Sequence, residues 1–154
     1  MTWLFPSEMP SRDQRRLDMF LACQYSQVRT ASDTQQQTGI HKIITTRMGA
    51  DLSAFVVTDT QPGRSAWAYI DTNEDDSAGN SLLAWAYTCP ADLLIYYRPQ
   101  HCDVYLLWFW VLREHLSRLR REYSSLAYRK KEVLVRRIRV PIYEFERLGI
   151  KGVL

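Results

Sequence analysis

Apolar positions divide the chain into a helix, a run of strands, a second helix and a closing strand and helix. Leu17, Phe20 and Leu21 recur at helical spacing from about Arg12 to Tyr25, with Ser11 as a candidate N-cap. The polar stretch SQVRTASDTQQQT reads as a loop. Ile40 to Thr46 and Leu52 to Thr58 read as two strands joined by a tight turn at Met48-Gly49-Ala50-Asp51. Pro62 and Gly63 end the second strand. A third strand runs from Ala66 to Thr72, with Trp67 and Tyr69 on one face and Ala66, Ala68 and Ile70 on the other. NEDDSAGNS reads as an acidic loop, and LLAWAY as a short apolar piece closed by Cys89-Pro90. Asp92 to Arg98 and Asp103 to Phe109 are near-continuous apolar runs, the pattern of strands buried on both faces. Arg98-Pro99-Gln100-His101 separates them. A helix from about Trp110 to Leu126 buries Leu112, Leu116 and Leu119 and leaves Arg113, Arg118, Arg120 and Arg121 mostly off that stripe. Glu132 to Val140 reads as a further strand ended by Pro141, and IYEFERLGI as a short helix. This order predicts an α/β (α+β) fold, a mixed central sheet flanked by helices, in one domain over residues 1–154.

Composition narrows this only a little. The 154 residues suffice for one domain with a real core but not for two comfortable ones. Hydrophobic residues at 46% and charged residues at 24% are ordinary globular usage and argue against disorder. The longest apolar run, VYLLWFWVL, is half of the roughly 20 residues a membrane span needs, so no membrane partner is expected. MTWLFPSEMP lacks the basic start and apolar core of a secretion signal. Cys23, Cys89 and Cys102 are odd in number with no CxxC spacing, which fits free thiols in a reducing cytoplasm.

Charge changes the picture more. Residues 1–110 carry 8 Lys/Arg and 12 Asp/Glu, whereas residues 111–154 carry 12 and 5. A basic end on a mildly acidic body points toward an anionic partner such as nucleic acid. The candidate contacts are Arg118, Arg121, Arg129, Lys130, Lys131, Arg136, Arg137 and Arg139. The same charges also suit a solvated surface and a guarded sheet edge.

Known chemical signatures are missing. There is no Gly-rich phosphate loop, no GxSxG elbow and no HExxH. His41, His101 and His115 share no spacing that places two of them on one metal. Asp71, Glu74, Asp75 and Asp76 suit either a hard cation or a polar turn. Trp67, Trp85, Trp108 and Trp110 read as core packing.

Three stretches follow a Gln-rich approach in a familiar order: GIHKIITTRMGADLSAFVVTDTQ, RSAWAYIDTN and LLAWAYTCPADLLIYYRP. Together they resemble the restriction-endonuclease-like (PD-(D/E)XK) nuclease superfamily, in the small form found in phages and mobile elements. There a hairpin opens with Gly-Ile-Asp, its second strand ends in a Val-Glu-Val-Lys-Thr-Asp-like run, and a Gly-Trp-x-Tyr-like turn precedes an Ala-Asp that opens a core strand. The resemblance covers about residues 12–148. It implies that fold, and a centre in which two carboxylates hold Mg²⁺ while a lysine activates water.

Carried over, the pattern is degenerate. His41 stands at the first carboxylate, Phe55 at the second and Val57 at the lysine; only Thr58-Asp59 survives, just beyond them. Phenylalanine and valine neither ligate a metal nor handle protons. In a second register, Asp71-Thr72-Asn73 is a D-x-K whose lysine has become asparagine, with Asp59 or Asp75 as further ligand. The leading expectation is therefore a pseudo-nuclease without cofactor that binds nucleic acid or a partner protein. One alternative is a divergent Mg-dependent endonuclease using Asp71 and nearby acids. The other is a phage or mobile-element structural or inhibitory protein working through protein–protein contact.

Overall fold

Strand β4 (Asp51–Asp59) runs through the middle of the fold, and every side chain from Ala54 to Asp59 is buried. Alternation sends Phe55 and Val57 to one face and Ala54 and Val56 to the other. Each face carries its own apolar cluster. Ala54 and Val56 pack with Leu17 and Leu21 of helix α1 (Ser11–Gln24). Phe55 and Val57 pack with Leu112, Leu116 and Leu119 of α4 (Phe109–Glu122) and with Phe145 of α5 (Ile142–Leu148). The computed structural model describes residues 3–4, 9–61 and 66–154. The strand break expected at Pro62 and Gly63, and most of the opening MTWLFPSEMP segment, lie outside them.

The strands around β4 are β1 (Trp3–Leu4), β2 (Gln27–Thr30), β3 (Lys42–Thr45), β7 (Leu93–Arg98), β8 (Asp103–Trp108) and β11 (Ile150–Val153). They form a sheet in the order β11-β8-β7-β4-β3-β2, with β1 on the end of β4. Only the β4–β7 pairing is parallel, so the sheet is mixed. A parallel pair needs a long crossover. Here that crossover carries β5 (Trp67–Asp75), β6 (Ser81–Leu83) and the one-turn α3 (Trp85–Thr88). With β9 (Ser125–Lys130) and β10 (Val133–Pro141), β5 and β6 build a second, antiparallel sheet in the order β6-β5-β10-β9. Its Ala68, Ile70, Ile138 and Val140 close the Phe55 face of the first sheet.

The expected mixed α/β architecture is present, with central sheet and flanking helices. The details depart from expectation where local polarity hides structure. SQVRTASDTQQQT is not a loop: it contains edge strand β2 and α2 (Asp33–Gln37), the latter opened by a reciprocal Ser32–Gln35 capping box. Ser11 is the first helical residue and makes no side-chain cap; Pro10 holds the N-cap position. The acidic stretch is half strand, since β5 continues through Asp75. Only its end turns, where Asp76 accepts bonds from the Ala78 and Asn80 amides. The helix expected to reach Leu126 stops at Glu122, because Ser125–Lys130 pairs with β10. A last strand, β11, follows α5. Trp108 and Trp110 are exposed rather than core.

Helix α5 passes into β11 at Gly149, and a Cβ added there would stand 2.3 Å from the Leu106 carbonyl oxygen of β8. Backbone cannot yield as a side-chain tip does. Gly149→Ala is expected to cost about 1–3 kcal/mol in urea unfolding. An unchanged midpoint would show that α5 and β8 do not approach this closely.

Candidate functional site

The β3–β4 hairpin, where a nuclease would place its carboxylates, turns at Gly49, whose φ of +86° suits glycine. His41 comes just before β3 and is 5% exposed. Its backbone N–H bonds to Ala54 O at 2.8 Å. Pairing of β3 with β4 ends at Lys42–Ala54, and β1 pairs only with Thr58 and Asp59. The Val56 amide between these stretches donates instead to His41 Nδ1, at 2.9 Å. The imidazole therefore stands in for a missing ladder acceptor. That bond requires an unprotonated Nδ1. Burial, with Lys42 adding a like charge, lowers the His41 pKa to about 4.

Phe55 and Val57, the other two positions of the expected nuclease pattern, are packed core. The Phe55 ring stacks on His41 with centroids 4.9 Å apart, lies 5.4 Å from Trp85 and 6.2 Å from Phe109. Gly39 and Cys89 close over the same ring: a Cβ at Gly39 would meet Cys89 Sγ at 3.3 Å and Phe55 at 3.7 Å. Val57 is buried in the same cluster. Aromatic pairs of this kind add to the burial of their large apolar surface.

The acids of the second register are also engaged. Asp59, at the end of β4, accepts from the Tyr96 hydroxyl at 2.7 Å and from the Gln61 amide at 3.0 Å. Tyr96 in turn accepts from the Tyr69 amide at 3.2 Å, tying the two sheets together. Burial and then Asp59 push the Tyr96 hydroxyl well above the ordinary tyrosine range. Asp71 is paired with Arg137 at 2.9 Å, and both are buried. A register shift between Arg136 and Arg137 leaves Thr72 of β5 unmatched and sets Asp71 opposite Arg137. Trp85 also hydrogen-bonds the Asp71 carboxylate. Burial raises the Asp71 pKa, against the pull of Arg137 in the other direction. Asp75 pairs with Arg136 at 2.8 Å. Among the described residues no three His, Cys, Asp or Glu side chains cluster as a metal site would require. The residues at the nuclease positions do not fit a Mg²⁺ centre: two are apolar, one is an imidazole, and Asp71 already faces a cation.

The basic residues separate into two groups. Arg137 is buried, with its guanidinium over the Tyr128 ring at 3.8 Å and the Tyr69 ring at 5.6 Å, so it does not join a solvent-facing set. Arg118 is held by Glu144 at 2.9 Å and Glu122 at 3.0 Å. Arg113 donates to the Ala86 and Cys89 carbonyls and so caps α3. Arg139 is half-buried, 4.4 Å over the Trp67 ring. Arg121, Arg129, Lys130 and Lys131 are exposed, at the end of α4, on β9 and in the β9–β10 turn; Arg136 is exposed beside Asp75. The residues that sequence reasoning overlooked are Trp85, Tyr96 and Tyr128. For Tyr96 a signal existed: a hydroxyl in a strand buried on both faces needs a partner. For Trp85 and Tyr128 the partner depends on β-register, which no local pattern encodes.

No protein-family model matches the chain, and no curated protein or solved structure matches it either.

The histidine makes a pH-dependent prediction. A folded pKa near 4 against 6.5 in the unfolded chain means the unfolded state takes up the proton first as pH falls. The contribution of His41 is complete above pH 6.5 and is lost between about 6.5 and 4, by about 3 kcal/mol. His41→Leu should cost about 1–3 kcal/mol at neutral pH, because the Val56 amide loses its acceptor. It should also flatten stability across that pH window in urea titrations. A slope equal to wild type would show that His41 does not titrate with folding.

Proposed function

We propose that the chain is a catalytically silent binding protein with a restriction-endonuclease-like fold, and that its ligand is nucleic acid. The observation that carries this reading is the filling of the would-be catalytic hairpin. Phe55 and Val57 are buried among α3, α4 and the second sheet, where a metal and its water would need polar ligands. The surrounding architecture agrees with the resemblance: a short antiparallel hairpin, β3–β4, followed by a core strand parallel to β4. Arg121, Arg129, Lys130 and Lys131 supply solvent-facing positive charge on α4, β9 and the turn after it. Phosphates attract such charge through counterion release. Cytoplasmic placement belongs to the same reading; among the described residues no helix is long and apolar enough to cross a membrane.

A protein partner is the second reading. Edge strand β11 leaves Ile150 70% and Val153 74% exposed, and Val153 lines a groove with Met19 of α1, itself 70% exposed. Exposed apolar edges of this kind favour protein contact.

Incubation with plasmid and single-stranded DNA in Mg²⁺ or Mn²⁺ should give no cutting. Cleavage that disappears in Asp71→Ala would establish the divergent endonuclease instead. DNA retention should fall as salt rises. The triple change Arg129→Ala/Lys130→Ala/Lys131→Ala should reduce the salt slope by about 2–3. Affinity insensitive to salt, or to that change, would overturn phosphate contact here, and absence of any binding would favour the protein partner.

A further inference from the structure

The face of the second sheet turned away from the Phe55 core is lined by aromatic rings and guanidinium groups in alternation. Ala68, Ile70, Ile138 and Val140 point into the core, so Trp67, Tyr69, Arg137 and Arg139 point the other way. Arg139 lies on Trp67 at 4.4 Å, and Arg137 lies between Tyr69 at 5.6 Å and Tyr128 at 3.8 Å. The deepest members, Tyr69 and Arg137, are buried, whereas Trp67 and Tyr128 are half-exposed. Tyr128 shares its side of β9 with Leu126 and with Lys130, which is exposed next to Lys131 of the turn. The Asp71–Arg137 pair fixes the guanidinium beneath the Tyr128 ring.

We infer that this face binds single-stranded nucleic acid, with bases stacked on Tyr128 and Trp67 and the backbone held by Lys130, Lys131 and Arg129. The inference rests on the nucleic-acid reading above and adds the form of the ligand. Cations alone serve single strands and duplexes alike. Part-exposed rings such as Tyr128 and Trp67 serve a single strand, whose bases expose their flat sides. A duplex keeps those sides stacked inside. Tyr128 lies opposite Val135 and Trp67 opposite Pro141. Six residues of strand separate these rows, about 20 Å, a length that suits roughly four nucleotides.

The test compares a labelled oligo(dT) strand of about 20 nucleotides with a duplex of the same length at one salt concentration. The expected result is tighter binding of the single strand. Tyr128→Leu should weaken that binding about tenfold and leave duplex binding unchanged, while Tyr128→Phe retains it. Lys130→Gln should weaken both probes alike. As a readout free of variants, ultraviolet crosslinking of a bromouridine-substituted strand to the wild-type protein should place adducts on Tyr128 or Trp67. Equal or tighter duplex binding, or adducts confined to other regions, would overturn this inference and leave the basic-surface reading standing. Failure to bind either probe would overturn both.

Discussion

The packing of Phe55 constrains the rest of the molecule. Its ring stacks on His41 of the hairpin and packs at a tilt against Trp85 of α3 and Phe109 of α4, in one aromatic cluster. Strand β4 is flanked by layers on both faces, so each alternate side chain must fill a volume of fixed shape. An ionised carboxylate at that depth would need a metal or another cation to offset its desolvation. An aromatic ring needs neither. With phenylalanine and valine at these two positions, this part of the hairpin is packed core.

Polar groups inside this frame have become connectors. Asp59, Tyr96 and the Tyr69 amide join β4, β7 and β5 in a short buried chain. Asp71 and Arg137 join β5 to β10, with Trp85 reaching the same carboxylate from α3. Buried pairs of this type add little net stability, yet removing one partner costs about 3–5 kcal/mol. They fix register: the unmatched Thr72 in β5 places Asp71, and not its neighbour, against the guanidinium. His41 plays a comparable part at the hairpin, where its ring nitrogen replaces a strand neighbour for Val56. The same pairing presents the outer face. Arg137, held from below by Asp71, carries the Tyr128 ring above it.

Long apolar runs and the tight turn were legible from the chain. Val104–Leu107, Leu93–Tyr97 and Ala54–Val57 are buried, as their unbroken hydrophobicity implies. Gly49 lies at the expected turn. Polar edge strands were not legible. Gln27–Thr30 and Ser125–Lys130 are short and largely polar; pairing with β3 and β10 makes them strands. The division into two sheets was equally hidden, because it depends on which strand β10 chooses. In the candidate site, the apolar character of positions 55 and 57 was legible, and both side chains are buried. Which arginines face water did not follow from charge count: Arg136 and Arg137 are chain neighbours, yet Arg136 is exposed and Arg137 buried. Burial of Arg137 follows from a carboxylate 66 positions earlier in the chain.

Phe55 is packing, buried within an apolar cluster, and one measurement addresses that directly. Urea unfolding of Phe55→Glu, with and without millimolar Mg²⁺, restores the carboxylate of the nuclease pattern to its strand. This packing predicts a loss of at least about 3 kcal/mol, from the lost ring contacts and the buried charge, with no recovery on adding Mg²⁺. Near-native stability that rises with Mg²⁺ would contradict it and return the hairpin to metal chemistry.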